Sequence, residues 1–377
     1  MSSDLPIDTI PLGLGQKAQH RHSTGALMDE ARRQLEICNA CRYCEGFCSV
    51  FPAMTRQSSF ADGDLSHLAN LCHNCRGCSY SCQYIPPHEF AINIPAVLAE
   101  VRQDSWERHV WPAPLARAFH ERGVAIMLML VAGIAALFWV IRNLAPTAGG
   151  EGFYAYLSHN TMVAIFTPVF LLPLAGVAVG LHRYWHETGG RRIRLADLQG
   201  AFASLAKLKN LSGGHGDGCN FEKEDRYSNA RRYAHQFTMY GFLLCFAATS
   251  VATLMHYLFG MSAPYPFFSP PKLLGVSGGI LLALGTTELA RLKMQADPQL
   301  GARRVWGGEM AFVLLLWLVA VSGLALYAAT GTPWVEGLLI FHLGSVLAFF
   351  VLLPYSKMVH GFFRLSALIV EEQKMKA

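Results

Sequence analysis

Six long apolar blocks constrain this chain more than anything else in it. They cover residues 123–141, 161–181, 237–260, 273–287, 310–329 and 337–353. A helix needs roughly 20 mostly apolar residues to cross a bilayer, so the blocks predict six membrane spans. The fourth is the shortest and the richest in glycine. Composition agrees: 52% of residues are hydrophobic and only 15% charged, against about 25% charged in soluble domains. A net charge of +5 gives no case for a nucleic-acid partner. The bilayer itself is the expected partner.

Lys and Arg in the loops predict the orientation. The 183–234 loop carries ten of them and the 291–307 loop four, whereas the alternate loops carry only Arg142 and Lys272. The basic loops and both termini are therefore expected on one side, the cytoplasmic face of the inner membrane. The N-terminus, MSSDLPIDTI, has no basic start followed by an apolar stretch and does not read as a signal peptide. Within the long loop, Leu195, Leu198, Phe202, Leu205 and Leu208 recur near helical spacing. They predict an amphipathic helix on the membrane surface or on a partner. The following SGGHGDGC stretch holds His215 and Cys219. Two ligands are too few for a structural metal site, so it reads as an exposed loop.

Eight of the ten cysteines fall in one short segment. Cys38, Cys41, Cys44 and Cys48 form C-x2-C-x2-C-x3-C, and Cys72, Cys75, Cys78 and Cys82 repeat the spacing 34 residues later. This is the two-cluster ferredoxin pattern, in which the last cysteine of each motif serves the other cluster. It predicts one [4Fe–4S] cluster on Cys38, Cys41, Cys44 and Cys82, and a second on Cys72, Cys75, Cys78 and Cys48. The proline that usually follows the fourth cysteine is replaced by Ser49 and Gln83, which leaves the local turn open. Zinc is the competing metal, but its sites use paired C-x2-C knuckles. The predicted organisation is a disordered 1–24, an iron–sulfur domain over 25–110 and a membrane domain over 111–377. Helices are expected near 26–36 and 95–108.

Four of the fifteen histidines fall near the ends of two spans: His235 and His256 on the third, His342 and His360 on the sixth. Each pair brackets a length close to the hydrocarbon core, at about 1.5 Å of helical rise per residue. Antiparallel packing of the two spans would set His235 opposite His360 at the cytoplasmic level and His256 opposite His342 at the outer level. Two imidazoles at one depth can fill both axial positions of a b-type haem. Two haems are therefore expected. His182 and His186 are rival ligands, and His120 and His159 read as interfacial. Glu288 and Glu309 read either as proton guides for a quinone or as interfacial carboxylates.

Together these features resemble a known family. The stretch FHLGSVLAFFVLLPYSKMVHGFF is similar to the haem-carrying helix of the nitrate reductase gamma subunit superfamily. The cysteine segment, the span RRYAHQFTMYGFLLCFAATSVATLMHY, the loop APYPFFSPP and the final helix resemble the tricarballylate-utilisation protein B (CitB/TcuB) family. That resemblance implies an all-α protein, a two-cluster ferredoxin-like domain ahead of a six-helix bundle. It implies a partner flavoprotein, a FAD-dependent dehydrogenase that oxidises tricarballylate. This chain would be the electron-transfer subunit of that oxidoreductase, passing electrons from FADH2 through clusters and haems to the quinone pool. It would do no substrate chemistry of its own. The residues alone leave two alternatives: a redox sensor, which would need an output module, and a tricarboxylate transporter with regulatory clusters, which should show an internal repeat of spans.

The charge asymmetry makes a direct prediction. A reporter fused after Lys376 or within 191–194 should read cytoplasmic, and one near Thr332 external. Termini on opposite faces in such a fusion series would mean that the spans are miscounted.

Overall fold

A computed structural model describes residues 24–144, 156–213, 216–220, 226–261 and 263–376. The expected disorder of 1–24 and the ligand candidate His215 therefore fall outside the described residues, except for Thr24. The described chain is helical, and its sole β feature is an isolated bridge between Cys219 and Ser228.

The N-terminal part is built from α1 (Thr24–Cys41), α2 (Val50–Thr55), α3 (Asp62–Leu71), α4 (Gly77–Tyr80) and α5 (Ile94–His109). Asn93 caps α5, accepting from the Ala96 amide at 3.1 Å, with Pro95 inside the first turn where its missing N–H costs nothing. The first helix runs further than the 26–36 expected and takes Cys38 and Cys41 into its last turn.

Six helices are long and apolar enough to cross a membrane, which makes this a multi-pass membrane architecture. They are α6 (Ala113–Leu144), α7 (His159–Glu187), α9 (Ala230–Phe259), α10 (Pro270–Gln295), α11 (Arg303–Ala328) and a segment Val335–Tyr355 that begins as α12 (Val335–Leu352). The amphipathic stretch forms α8 (Leu195–Lys207). Helical geometry breaks at Arg122 (φ −129°, ψ 30°), just before the apolar part of α6. The fourth span, shortest in apolar sequence, is a full 26-residue helix. Its glycines explain the composition: a Cβ on Gly278 would lie 2.8 Å from the Cys245 amide, and one on Gly285 2.6 Å from the Thr238 amide. Small residues let α9 and α10 meet backbone to backbone, which is how helices associate where lipid removes the hydrophobic drive.

The sixth span corrects an expectation. It does not continue to His360. Helix α12 ends at Leu352, single 3-10 turns cover Leu353–Tyr355 and Lys357–Val359, and α13 (His360–Met375) is a separate helix. Pro354 lacks an amide donor and cannot continue the helical ladder. His342 and His360 are therefore not on one straight rod, and the helical-rise separation between them does not apply.

Helix α13 turns back into the N-terminal part. Phe363, Ala367, Leu368 and Ile369 belong to the same core cluster as Leu35, Leu65, Leu98 and Tyr184. That core crosses residue 110 without a break, so packing does not divide the chain where composition does. One turn beyond Ala367 sits Glu371, side chain 7% exposed, paired with Arg56 and lying 3.3 Å from His67. Burial alone would raise the carboxyl pKa, but hydrogen bonds from His67 and Arg56 outweigh it and hold it below the ordinary value. A carboxylate depressed in the folded state contributes stability above its unfolded pKa and loses it as pH falls. Glu371→Ala should cost about 3 kcal/mol, the scale for breaking a buried pair. Thermal melts in detergent at neutral and acidic pH check it: the gap between Glu371→Ala and the parent protein should narrow toward acid pH.

Candidate redox centres at the membrane face

The two cysteine motifs close around each other. A cavity of about 230 Å³ is lined by Cys38, Cys41, Cys44 and Cys82, and by Cys78, which lines both thiol cavities. A second, tighter cavity of about 20 Å³ is lined by Cys48, Cys72, Cys75 and Cys78. The last cysteine of each motif thus stands with the first three of the other, the exchanged grouping that the spacing predicts. Electrostatic coupling follows the same partition. Burial, then Cys82, Cys44 and Cys41, push the Cys38 thiol up to about 12. Burial, then Cys75 and Cys72, raise the Cys48 thiol. Among the described residues no three His, Cys, Asp or Glu side chains converge as on a single ion. Four thiols spread over a cavity wall are the donor set of a cluster, which wants one thiolate at each of four irons.

The loops curl through left-handed residues inside the motifs. Arg42 (φ 57°), Asn74 (φ 53°) and Arg76 (φ 65°) lie between successive cysteines. Such turns aim consecutive amides into a concavity that suits an anionic group. The Asn74 amide lies 3.3 Å from the Cys72 sulfur and the Tyr84 amide 3.4 Å from that of Cys82.

The two motifs differ in what surrounds them. Cys41 is exposed. The second motif is covered. The Asn220 amide donates to the Cys75 carbonyl at 3.0 Å, and buried Cys219 packs against Cys75. The stretch at Cys219 that reads as an exposed loop is therefore a lid on the second centre. No separation of residues in sequence signals that contact.

Beneath the second motif lies a cavity of about 540 Å³. His73, Asn74 and Arg76 line both it and the tight cysteine cavity. Its opposite wall carries His235 and His360, whose ring centres are 5.9 Å apart with planes at 81°. Two imidazoles bonded to one metal through facing nitrogens have ring centres about 6 Å apart, given metal–nitrogen bonds of roughly 2 Å. The Nδ1 of His360 is held by the Lys357 carbonyl, so Nε2 is the nitrogen that would ligate a metal. Burial first, then His235 and Arg364, push the His360 pKa well below its ordinary value, so the ring is neutral as a ligand must be. The residues fit a bis-imidazole haem.

The same cavity is rich in cations. Arg76, Arg102, Arg231, Lys293, Lys357 and Arg364 line it, with Glu309 among them. Glu309 bonds Lys293 and Lys357, each at 2.6 Å, so it belongs to the cavity wall and is no snorkelling interfacial carboxylate. Glu288 pairs with Arg291 at 2.7 Å on the surface. Burial lowers the Lys357 pKa to about 7 and that of Arg364 to about 9. Cations that lose solvation in this way favour an anion alongside.

The outer pair is not brought together. The ring of His256 lies 4.2 Å from that of His159, and His159 also bonds the Tyr257 hydroxyl at 3.0 Å. His342 is seated on α11 instead, its Nδ1 2.9 Å from the Ser322 hydroxyl and its ring over Gly323. Spans three and six meet at mid-depth through Phe242 and Phe349, 5.6 Å apart, not through these histidines. His182 and His186 contact one another on a single helix, 4.6 Å apart. His120 is not interfacial either: it is buried at 6% exposure and lies 2.8 Å from Glu107.

The chain matches known proteins along most of its length. A family model described as "Citrate utilization protein B Fer4-like domain" matches residues 31–107, and one described as "Citrate utilization protein B" matches 117–377. A protein of Escherichia coli named "Citrate utilization protein B" is 43% identical over 345 residues, covering 90% of each chain. No solved structure matches.

Replacing Cys41 or Cys75 with serine should remove one centre each, because a hydroxyl is a poor substitute for thiolate. Iron and acid-labile sulfide in anaerobically purified protein should fall toward half. Cys219→Ser should retain both in full. Zinc in place of iron would exclude clusters.

Proposed function

The chain belongs to the citrate utilization protein B family, and on that premise we propose that it is a membrane electron-transfer subunit. It accepts electrons from the reduced FAD of a partner dehydrogenase acting on tricarballylate or a related tricarboxylate, and it delivers them to the quinone pool. It lies in the inner membrane with both termini cytoplasmic, as the loop charges require. The bound groups are two [4Fe–4S] clusters and haem b, which supply one-electron steps that amino acids cannot.

The observation that carries this reading is the facing of His235 and His360 at 5.9 Å in a cationic cavity that shares His73, Asn74 and Arg76 with the second thiol cavity. Each residue class has its part. The exposed Cys41 motif opens toward a soluble donor. The covered Cys75 motif stands next in line. His235 and His360 hold a haem from two different helices, and the surrounding Arg and Lys side chains balance its carboxylates. The second haem expected on His256 and His342 has no comparable facing pair, and only the inner haem is assigned to residues here. A tricarboxylate transporter would also use the cations, but it leaves the facing imidazoles and the adjoining thiol cavities without a role.

Reduced-minus-oxidised spectra of membranes test the proposal. A b-type signal should be present, and His235→Ala and His360→Ala should lose the same component of it. His342→Ala should keep that component. Full haem in both His235→Ala and His360→Ala would sink the assignment and return His182 and His186 as ligands.

A further inference from the structure

Three arginines from three separate helices converge on the loop of the second cysteine motif. Arg364 of α13 donates to the Asn70 carbonyl at 3.1 Å and to the Cys72 carbonyl at 2.6 Å. Arg102 of α5 donates to the same Cys72 carbonyl at 2.8 Å. Arg231 at the start of α9 donates to the Asn74 carbonyl at 2.6 Å. Arg102 is 4% exposed, and all three line the large cavity. The first thiol cavity is different: among the described residues, its lining contains no charged side chain other than the cysteines.

From this asymmetry, and resting on the two-cluster reading above, we propose that Arg102, Arg231 and Arg364 are positioning residues that raise the reduction potential of the second cluster above that of the first. A cluster held by four thiolates is already anionic, and reduction adds one more negative charge. Fixed cations within reach of the loop stabilise that added charge, and charge and hydrogen bonding are among the levers that set cluster potentials. They act strongly because the cavity is partly closed to water. Solvent at Cys41 works the same way on the first cluster, but it reaches one exposed ligand, while Cys38, Cys44 and Cys82 are half-buried.

The step this favours is a single electron leaving the reduced first cluster and entering the oxidised second. No bond is made or broken, and no proton moves. The electron comes from a reduced flavin on the donor side. The arginines thus set the direction of flow toward the cavity that holds His235 and His360, which all three of them line.

The test is a redox titration of the purified full chain, followed by electron paramagnetic resonance of the reduced clusters. The parent protein should give two waves. In Arg364→Gln and, separately, Arg231→Gln, the higher wave should move down and the lower should stay. The constant for electron sharing between the clusters should fall about tenfold, a shift of about 59 mV for a one-electron couple. Arg364→Lys keeps the charge and should restore most of the gap. Iron and sulfide measured on each variant confirm that both clusters are intact. Unmoved waves in both glutamine variants, or movement of the lower wave alone, would overturn the proposal while leaving the cluster reading in place. A parent protein without iron would overturn both.

Discussion

The hydrogen bonding of Arg102, Arg231 and Arg364 to the carbonyls of Asn70, Cys72 and Asn74 is the constraint on which the rest of the arrangement depends. These bonds tie a cysteine loop to α5, α9 and α13 together. They hold the second motif over the membrane bundle and leave the first motif outward. Each is a charged donor on a backbone acceptor, roughly twice as strong as a neutral hydrogen bond. Buried guanidinium groups tolerate this position because backbone carbonyls accept from all three and Glu309 lies 3.9 Å from Arg102.

A chain that crosses the membrane six times could have hung its soluble segment on a linker. Here the last helix prevents that. Pro354 ends α12, and α13 folds back so that Phe363 and Ala367 enter the core of α3 and α5. The same turn delivers His360 to face His235 and Arg364 to reach Cys72. One helix break therefore sets the facing of His360 on His235, the reach of Arg364 and the docking of the cysteine domain. Rigid placement matters for electron transfer, since centres held by packed helices keep their separation.

Much of the site was legible because its chemistry is written in spacing. Repeated x2-x2-x3 intervals specify which thiols can wrap a cluster, and the exchanged fourth cysteine follows from geometry that a short loop cannot avoid. The six spans were legible because lipid demands uninterrupted apolar length. The histidines were legible only in part. His235 and His360 meet, but through the helix break at Pro354 and not through register along one span, whereas His256 and His342 sit against His159 and Ser322. Depth along a helix follows from residue number, but the direction a side chain faces depends on how each helix is rotated and which neighbour it packs on. The glycine seam of α9 on α10 fixes that rotation through contacts made by absent side chains, which no periodicity reveals.

Arg231 and Arg102 make the same point from the side of charge. In sequence, Arg231 counts toward orientation as one of ten basic residues in a loop, and that count describes the membrane's preference without regard to position. Folding gives the residue a second task as a cavity wall. The sequence by itself determined the number of spans, the duplicated cysteine spacing and the basic loops, because each depends on local composition or on spacing within a short segment. The tertiary structure alone decided which histidines face one another, that Cys219 closes over Cys75 and that three distant arginines share one loop. Those relations join residues up to about 290 positions apart, as Arg364 and Cys72 are, and they exist only once the helices have packed.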